Sequence, residues 1–249
     1  LLSKDTFNKK LCEKMRLFIS GSAPLLAETH VDFEERTGFK ILERYGMTET
    51  NMSTSNPYNG ERRAGTVGFP LPGVELKITD PKTGNELSRG EIGNLEVRGP
   101  NVFVGYWNMP EKTKEELRED GFFITGDLGL MDEDGYVQII GRDKDLIISG
   151  GFNIYPKELE LLLDEQEGVI ESAVIGVPHP DFGETPLGIL VREKSAEPKI
   201  DKIEKIIKSQ LARYKHPKRF IVIDELPRNT MGKVQKNLLR EQYKDTFFG

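Results

Sequence analysis

The chain has 249 residues, 37% of them hydrophobic and 31% charged, with a formal net charge of -6. That balance belongs to a globular chain with enough apolar residues for a core, and it excludes a basic field that would draw the protein to nucleic acid or to an anionic membrane surface. No apolar run approaches the roughly 20 residues that a membrane-spanning helix needs. The one cysteine, Cys12, has no internal disulfide partner, so a reducing compartment, taken as the cytoplasm, is expected.

The opening "LLSKDTFNKKLCEKM" lacks both an initiator methionine and the pattern of a signal peptide. It reads as the inside of an amphipathic helix, so residues are expected upstream and the chain reads as part of a longer protein. "MRLFISGSAPL" runs apolar into a Gly-Ser-Ala-Pro turn, "AETHVDFEERTG" predicts a helix closed by Gly38, and "FKILERYG" predicts a short strand, together a βαβ-like pattern. Over 65–142 the texture changes to short alternating strands such as "VELKITD" and "GNLEVRG", separated by the turn clusters "DPKTG" and "DEDG". That spacing predicts a small barrel or sandwich. After Arg142 come "DLIIS", the pair Gly150 and Gly151, a proline-led helix at "PKELELLLDEQ" and strands at "ESAVIGV" and "LGILVRE". In "IDKIEKIIKSQLARY" the residues Ile200, Ile203, Ile207 and Leu211 share one helix face, which should pack on a sheet. The last strand, "RFIVIDELP", runs into "RNTMGKVQK".

Several of these junctions can carry chemistry. In "RYGMTETN", Tyr45 can stack on a base, Thr48 can donate to a phosphate oxygen and Glu49 can hold a hard cation such as Mg²⁺, at the kind of strand end where open α/β sheets bind ligands. An ordinary polar turn with a capping threonine explains the same residues. Asp127 in "TGDLG" is either an Asx turn or a carboxylate able to accept from the paired hydroxyls of a ribose. "GRDKDLIISGGFN" clusters Arg142, Asp143, Lys144 and Asp145 at a compositional boundary, which suits a solvated hinge and equally a plain surface turn. Gly150 and Gly151 either allow a ligand close to the backbone or mark a tight bend. Near the end, Lys233 follows a glycine with no G-x-x-x-x-G-K-[ST] run, so it belongs to no Walker-type loop. A lysine there offers long reach and a compact charge where negative charge gathers, although most exposed lysines only solvate a surface.

In order, "SGSAPL", "ERYGMTET", "TVGFPLPGVELKI", "GEIGNLEVRGPNVFVGYW", "GFFITGDLG", "GRDKDLIISGGFNIYPKELE", "VIGVPHPDFGE" and "LPRNTMGKVQK" resemble the C-terminal half of adenylate-forming acyl-CoA synthetases, the AMP-dependent synthetase/ligase family, across nearly the whole chain. Within that family, "RYGMTETNMSTSNPYNGERRAGTVGFPLPGV" is most similar to malonyl-CoA synthetases. The resemblance implies α/β and α+β architecture: the C-terminal part of a large AMP-binding domain over 1–143, made of an α/β remnant (1–56) and a small β-barrel subdomain (57–143), then a mobile α+β lid over 144–249.

The resemblance also implies that a carboxylate attacks the α-phosphate of ATP to give an acyl-adenylate, from which CoA displaces AMP. Gly21, Ser22 and Ala23 would line the adenine and acyl pocket, Tyr45 with Gly46 would contact adenine, and Thr48 the α-phosphate. Glu49 would hold Mg²⁺, and Asp127 the ribose, with Arg142 close by. Lys144 falls at the hinge and Gly151 beside the pantetheine tunnel, with Gly150 next to it a further cofactor-binding candidate. Ser22 and Met47 are the acyl-pocket candidates, and Lys233 matches the catalytic lysine, a target for a lysine acetyltransferase and deacetylase. The family's phosphate loop, its upstream aromatic motif and the arginine expected for a second carboxylate are not in these residues, so the 249-residue piece is expected to be inactive alone. A medium- or long-chain fatty-acid-CoA ligase and a truncated non-catalytic nucleotide-binding module are the alternative readings.

Overall fold

The computed structural model describes residues 2, 4, 6–21, 25, 27–193, 196–230 and 232–248, and the chain falls into two units, Leu1–Ile140 and Gly141–Gly249. The first unit opens with a short helix α1 (Lys9–Cys12), strand β1 (Ile19–Ser20) and helix α2 (Ala27–Thr37). Gly38, at φ 76°, takes the left-handed conformation that ends α2, and its N–H donates to the Glu34 carbonyl at 2.7 Å. The helix packs Phe33 against Phe7 and Phe18, with ring centroids 5.6 and 4.9 Å away, over Cys12 and Ile41. That aromatic cluster holds α2 on β2 (Leu42–Met47), which pairs in parallel with β1 and antiparallel with β3 (Asn51–Ser55). The sheet is completed by β4 (Phe69–Pro70) on β3, so it reaches past Asn56.

The second sheet of this unit has the order β5 (Glu75–Thr79), β6 (Gly93–Arg98), β7 (Phe123–Met131), β8 (Val137–Arg142), with helix α3 (Pro110–Glu116) between β6 and β7. The expected barrel is not formed: four strands lie in an open row, and β5 and β8 do not pair. Each outer edge is occupied by a short local segment instead. The N–H of Leu87 donates to the Ile78 carbonyl beside β5, and beside β8 the Val67 N–H donates to the Val137 carbonyl and the Val137 N–H to the Gly68 carbonyl, each at 2.8 Å. Those bonds give each outer strand a local partner in place of the other outer strand.

In the second unit the order is β10 (Phe152–Ile154), β9 (Ile147–Ser149), β12 (Gly183–Arg192), β11 (Val169–His179), with β13 (Arg219–Ile223) added in parallel on β12. Alternate residues of β11 and β12 point to opposite faces. Val174 and Leu190 join Leu159 and Leu163 of α4 (Pro156–Asp164) with Ile203 and Ile207 of α5 (Ile200–Gln210), against which Ile200 and Leu211 also pack. On the other face Ala173, Ile175, Leu187 and Ile189 meet Leu239 of α6 (Lys236–Tyr243). Burial on both faces explains why these strands read as unbroken apolar runs rather than alternations. A β-carbon at Gly188 would sit 2.5 Å from the Phe220 ring, so glycine there leaves room for β13 to pack.

Candidate active site

The turn that carries Thr48 and Glu49 is shaped by a close approach. β2 and β3 form a hairpin around residues 48–50, with Met47 paired to Asn51, and a β-carbon at Gly46 would lie 1.9 Å from the Asn51 carbonyl oxygen. Only glycine fits there. Asn51 itself has φ 53°, a left-handed position that asparagine tolerates. Long-range bonds fix the turn: the Asn101 amide donates to the Thr50 carbonyl at 2.6 Å, and the Phe103 N–H to the Glu49 carbonyl at 2.8 Å. Thr48 is exposed and Glu49 half-buried.

The Glu49 carboxylate faces the Tyr106 hydroxyl at 3.1 Å, and the same hydroxyl lies 2.6 Å from Glu116, which Lys112 holds at 2.6 Å. Burial and these two carboxylates push the Tyr106 phenol well above its ordinary value, so it stays a donor. A phenol carries one proton and can satisfy one carboxylate at a time. The shorter contact assigns it to Glu116 and leaves Glu49 with acceptor capacity toward a cation. Among the described residues no group of three or more His, Cys, Asp or Glu could hold a metal ion. A metal at Glu49 would therefore have at most two such side chains from the described residues, a sparse arrangement suited to Mg²⁺ that keeps waters and binds phosphate oxygens.

Asp127, on β7, is 4% exposed and accepts a hydrogen bond from the Tyr45 hydroxyl at 2.5 Å. The two residues are 82 positions apart, and the contact joins the end of β2 to the middle of β7. The Tyr45 ring packs on the cluster of Ile78, Leu95, Val97 and Val137, so its position is set by the core of the second sheet. Asp127 is oriented from below: its N–H donates to the Thr125 hydroxyl at 3.1 Å, which donates to the Leu95 carbonyl at 2.8 Å. Met47 is adjacent, its sulfur 3.8 Å from the Tyr45 hydroxyl. At Gly21 a β-carbon would come within 3.0 Å of the Arg44 carbonyl oxygen. Ser22 and Ala23 lie outside the described residues.

In the second unit Arg142 ends β8 half-buried and Lys144 is exposed on a single 3₁₀ turn, Asp143–Asp145. Arg240 of α6 pairs with Asp145 and donates to the Lys144 carbonyl at 3.3 Å. Gly150 and Gly151, at φ 56° and 86°, are the two central residues of the β9–β10 hairpin. Positive φ at both positions is what a two-residue turn of this kind demands, so the tight-bend reading accounts for the pair. Lys233 is exposed just before α6. Its surroundings are less open than the sequence suggests: Arg228 and Val234 form an isolated β-bridge, and the Gly232 N–H donates to the Asn229 carbonyl at 2.9 Å.

The structure thus brings Tyr45, Met47 and Asp127 together beside the Thr48–Glu49 turn, and sets Lys144, Gly150, Gly151 and Lys233 on one unit. Sequence reasoning missed Tyr106, Asn229 and Arg240. No spacing rule connects Tyr106 to Glu49 or Arg240 to Asp145, because tertiary packing alone joins them; Asn229 had a signal, as asparagine before a glycine turn commonly bonds its own backbone.

Comparison with known proteins defines the class. Residues 1–107 match the AMP-binding enzyme family and residues 158–233 match the AMP-binding enzyme C-terminal domain. The chain belongs to the AMP-binding enzymes and corresponds to their C-terminal portion. It is 61% identical to the ATP-bound MatB of Rhodopseudomonas palustris, with a TM-score of 0.95, over 99% of this chain and 49% of that one. It is 42% identical to the malonate–CoA ligase of Arabidopsis thaliana over 93% of this chain and 39% of the relative. With the long-chain-fatty-acid–CoA ligase of Bacillus subtilis it shares 41% over 90% of this chain and 40% of the relative. The chain therefore spans about two fifths of the length of the curated relatives it matches. Among the described residues no helix is long and apolar enough to cross a membrane.

Proposed function

We propose that this chain is the C-terminal portion of an AMP-forming acyl-CoA synthetase acting on malonate, ATP and CoA. The observation that carries the reading is the Tyr45–Asp127 contact at 2.5 Å, since it unites two distant residues of matching nucleotide-binding motifs at one strand end. An oxygen of the carboxylate substrate bonds to the α-phosphorus of ATP while the bond to pyrophosphate breaks and that group leaves with the electron pair. The thiol of CoA then adds to the acyl carbon and AMP departs. Asp127 accepts from the ribose hydroxyls, exchanging or sharing its bond to Tyr45, while Tyr45 and Gly46 border the base. Thr48 donates to the α-phosphate. The Lys233 ammonium stabilises the negative charge that gathers between carboxylate and phosphorus, where fixed positive groups are the main catalytic resource. Mg²⁺, when bound, offsets phosphate charge, and Glu49 is the carboxylate that would hold it.

Arg142 and the turn at Lys144 serve as a pivot in this reading, allowing Lys233 to withdraw before the thiol enters. Malonate is favoured by the resemblance of 44–74 to malonyl-CoA synthetases and by the Arabidopsis relative. Much of that stretch is one folded loop around Asn56, whose buried amide donates to the carbonyls of Thr66 at 2.7 Å and Glu43 at 3.3 Å. An acetyltransferase and deacetylase acting on Lys233 belong to the same proposal through its exposure alone, because acetylation removes the charge; ATP–pyrophosphate exchange undiminished in quantitatively acetylated protein refutes them.

The test is thioester formation with malonate and with a long-chain acid by this chain joined to the upstream segment its relatives carry. Malonyl-CoA is the expected product. Turnover of the long-chain acid alone would transfer the reading to fatty-acid activation, and nucleotide binding without turnover of either acid would leave a binding module.

A further inference from the structure

The side chain of Lys233 has no hydrogen-bonding or ionic partner among the described residues, yet its backbone is held from three directions. The Lys233 N–H donates to Asn229 Oδ1 at 3.0 Å, and the Asn229 N–H donates back to the Lys233 carbonyl at 3.0 Å. Arg228 donates to the Gly232 carbonyl at 2.6 Å and pairs with Glu171 of β11. On the far side of the turn, Lys236 pairs with Glu160 of α4 at 2.5 Å, and Glu160 also accepts from the Val174 N–H at 2.9 Å. Gly232, at φ 78° with open space around it, supplies the left-handed residue the turn needs. The turn is therefore a short closed loop, bracketed by two ion pairs to the buried sheet and its helix.

We propose that Asn229 is the positioning residue of Lys233, with the Arg228–Glu171 and Lys236–Glu160 pairs as the anchors that fix the turn to the sheet. The proposal rests on the reading of Lys233 as the lysine of the adenylation step. A free ammonium on a four-carbon stem has many rotamers, and it stabilises a transition state only when its root is already in place. The Asn229 side chain fixes that root without touching the ammonium. This keeps the charge uncompensated while limiting where it can go. Lys236 cannot take over the task, because its own ammonium is spent on Glu160.

The experiment uses the ligase formed by this chain with the upstream segment, and measures the two half-reactions separately: ATP–pyrophosphate exchange with malonate, and CoA thioester formation from supplied malonyl-AMP. Asn229→Ala is expected to slow exchange about 10- to 100-fold through kcat, with little change in KM for ATP, and to leave the thioester step within about twofold. Asn229→Ser, which keeps a weaker oxygen acceptor, should recover part of the loss. Glu171→Gln should show the same half-reaction pattern with a smaller amplitude, and it covers the case in which Asn229→Ala folds poorly. Unchanged exchange in both Asn229→Ala and Glu171→Gln, or equal losses in the two half-reactions, overturns the positioning role. Lys233→Met run alongside separates the two levels: if it too leaves exchange unchanged, the adenylation role of Lys233 fails first.

Discussion

The two turns that carry the reactive charges, residues 46–51 in the first unit and 228–234 in the second, are built to opposite ends. At the first the surroundings are fixed: the half-buried Glu49 lies 3.1 Å from the Tyr106 hydroxyl, its carbonyl is tied to Phe103, and a glycine is demanded by a carbonyl that would lie 1.9 Å from any β-carbon. At the second only the backbone is held, and the ammonium of Lys233 is left to solvent. The difference follows the work each charge is given. A carboxylate that helps keep a cation beside a nucleotide gains from fixed surroundings, whereas a cation that must arrive and leave gains from a fixed root and a free tip.

Lys233→Met tests the comparison most severely. Adenylation by the ligase containing this chain should fall about 100- to 1000-fold, by analogy with loss of a single charge-stabilising donor, while thioester formation from malonyl-AMP persists. Retained exchange would mean that the free tip does no chemistry. Gly46→Ala should cost about 3 kcal/mol or more of unfolding free energy, measured by denaturant titration, because the alanine methyl and the Asn51 carbonyl oxygen cannot share the same space. A neutral result would show that the hairpin can open without penalty.

A third expectation concerns the buried pair His30 and Glu43, 3.4 Å apart on α2 and β2 behind the first turn. Burial raises the Glu43 carboxyl to about 7, and burial lowers His30. The folded chain therefore keeps the Glu43 proton to about pH 7, whereas the unfolded chain releases it near its ordinary value of 4.5. Between those values the folded state binds more protons, so stability falls as pH rises, by about 3 kcal/mol in all. Lowered His30 acts in the opposite sense, rising in its contribution as pH climbs toward its ordinary 6.5. Glu43→Gln should abolish the fall and expose the rise, read from denaturation midpoints between about pH 4 and 8. Smallest of all, Tyr106→Phe should weaken the Mg²⁺ dependence of adenylation by roughly threefold or less, consistent with about 0.5 kcal/mol for one indirect hydrogen bond. A larger effect would place Tyr106 in direct contact with substrate.

Local patterns in the sequence reported local structure well. The periodic isoleucines of α5, the glycine that ends α2 and the apolar runs of β11 and β12 are each decided by near neighbours or by burial on both faces, and each is found where its pattern points. Closure of a sheet is not a local property. The strands over 65–142 look alike whether or not the first meets the last, and here segments near Leu87 and Val67 occupy the edges. The same limit hid the supports of the candidate site. Tyr45 and Asp127 were legible as polar groups at strand ends, but their mutual bond spans 82 positions and depends on how one sheet packs on another. Lys233 was legible as an exposed cation after glycine, while the bridge from Arg228 to Val234 gave no signal beyond the turn residues themselves.

Glu160 has two obligations at once: it accepts from the buried Val174 amide on the outer strand β11 and tethers Lys236 beside the turn. Loss of that carboxylate would thus release the Lys236 tether and deprive the Val174 amide of its acceptor in a single step. For the same reason this position tolerates few replacements, since a single oxygen, Glu160 Oε1, serves both the Val174 amide and the Lys236 ammonium.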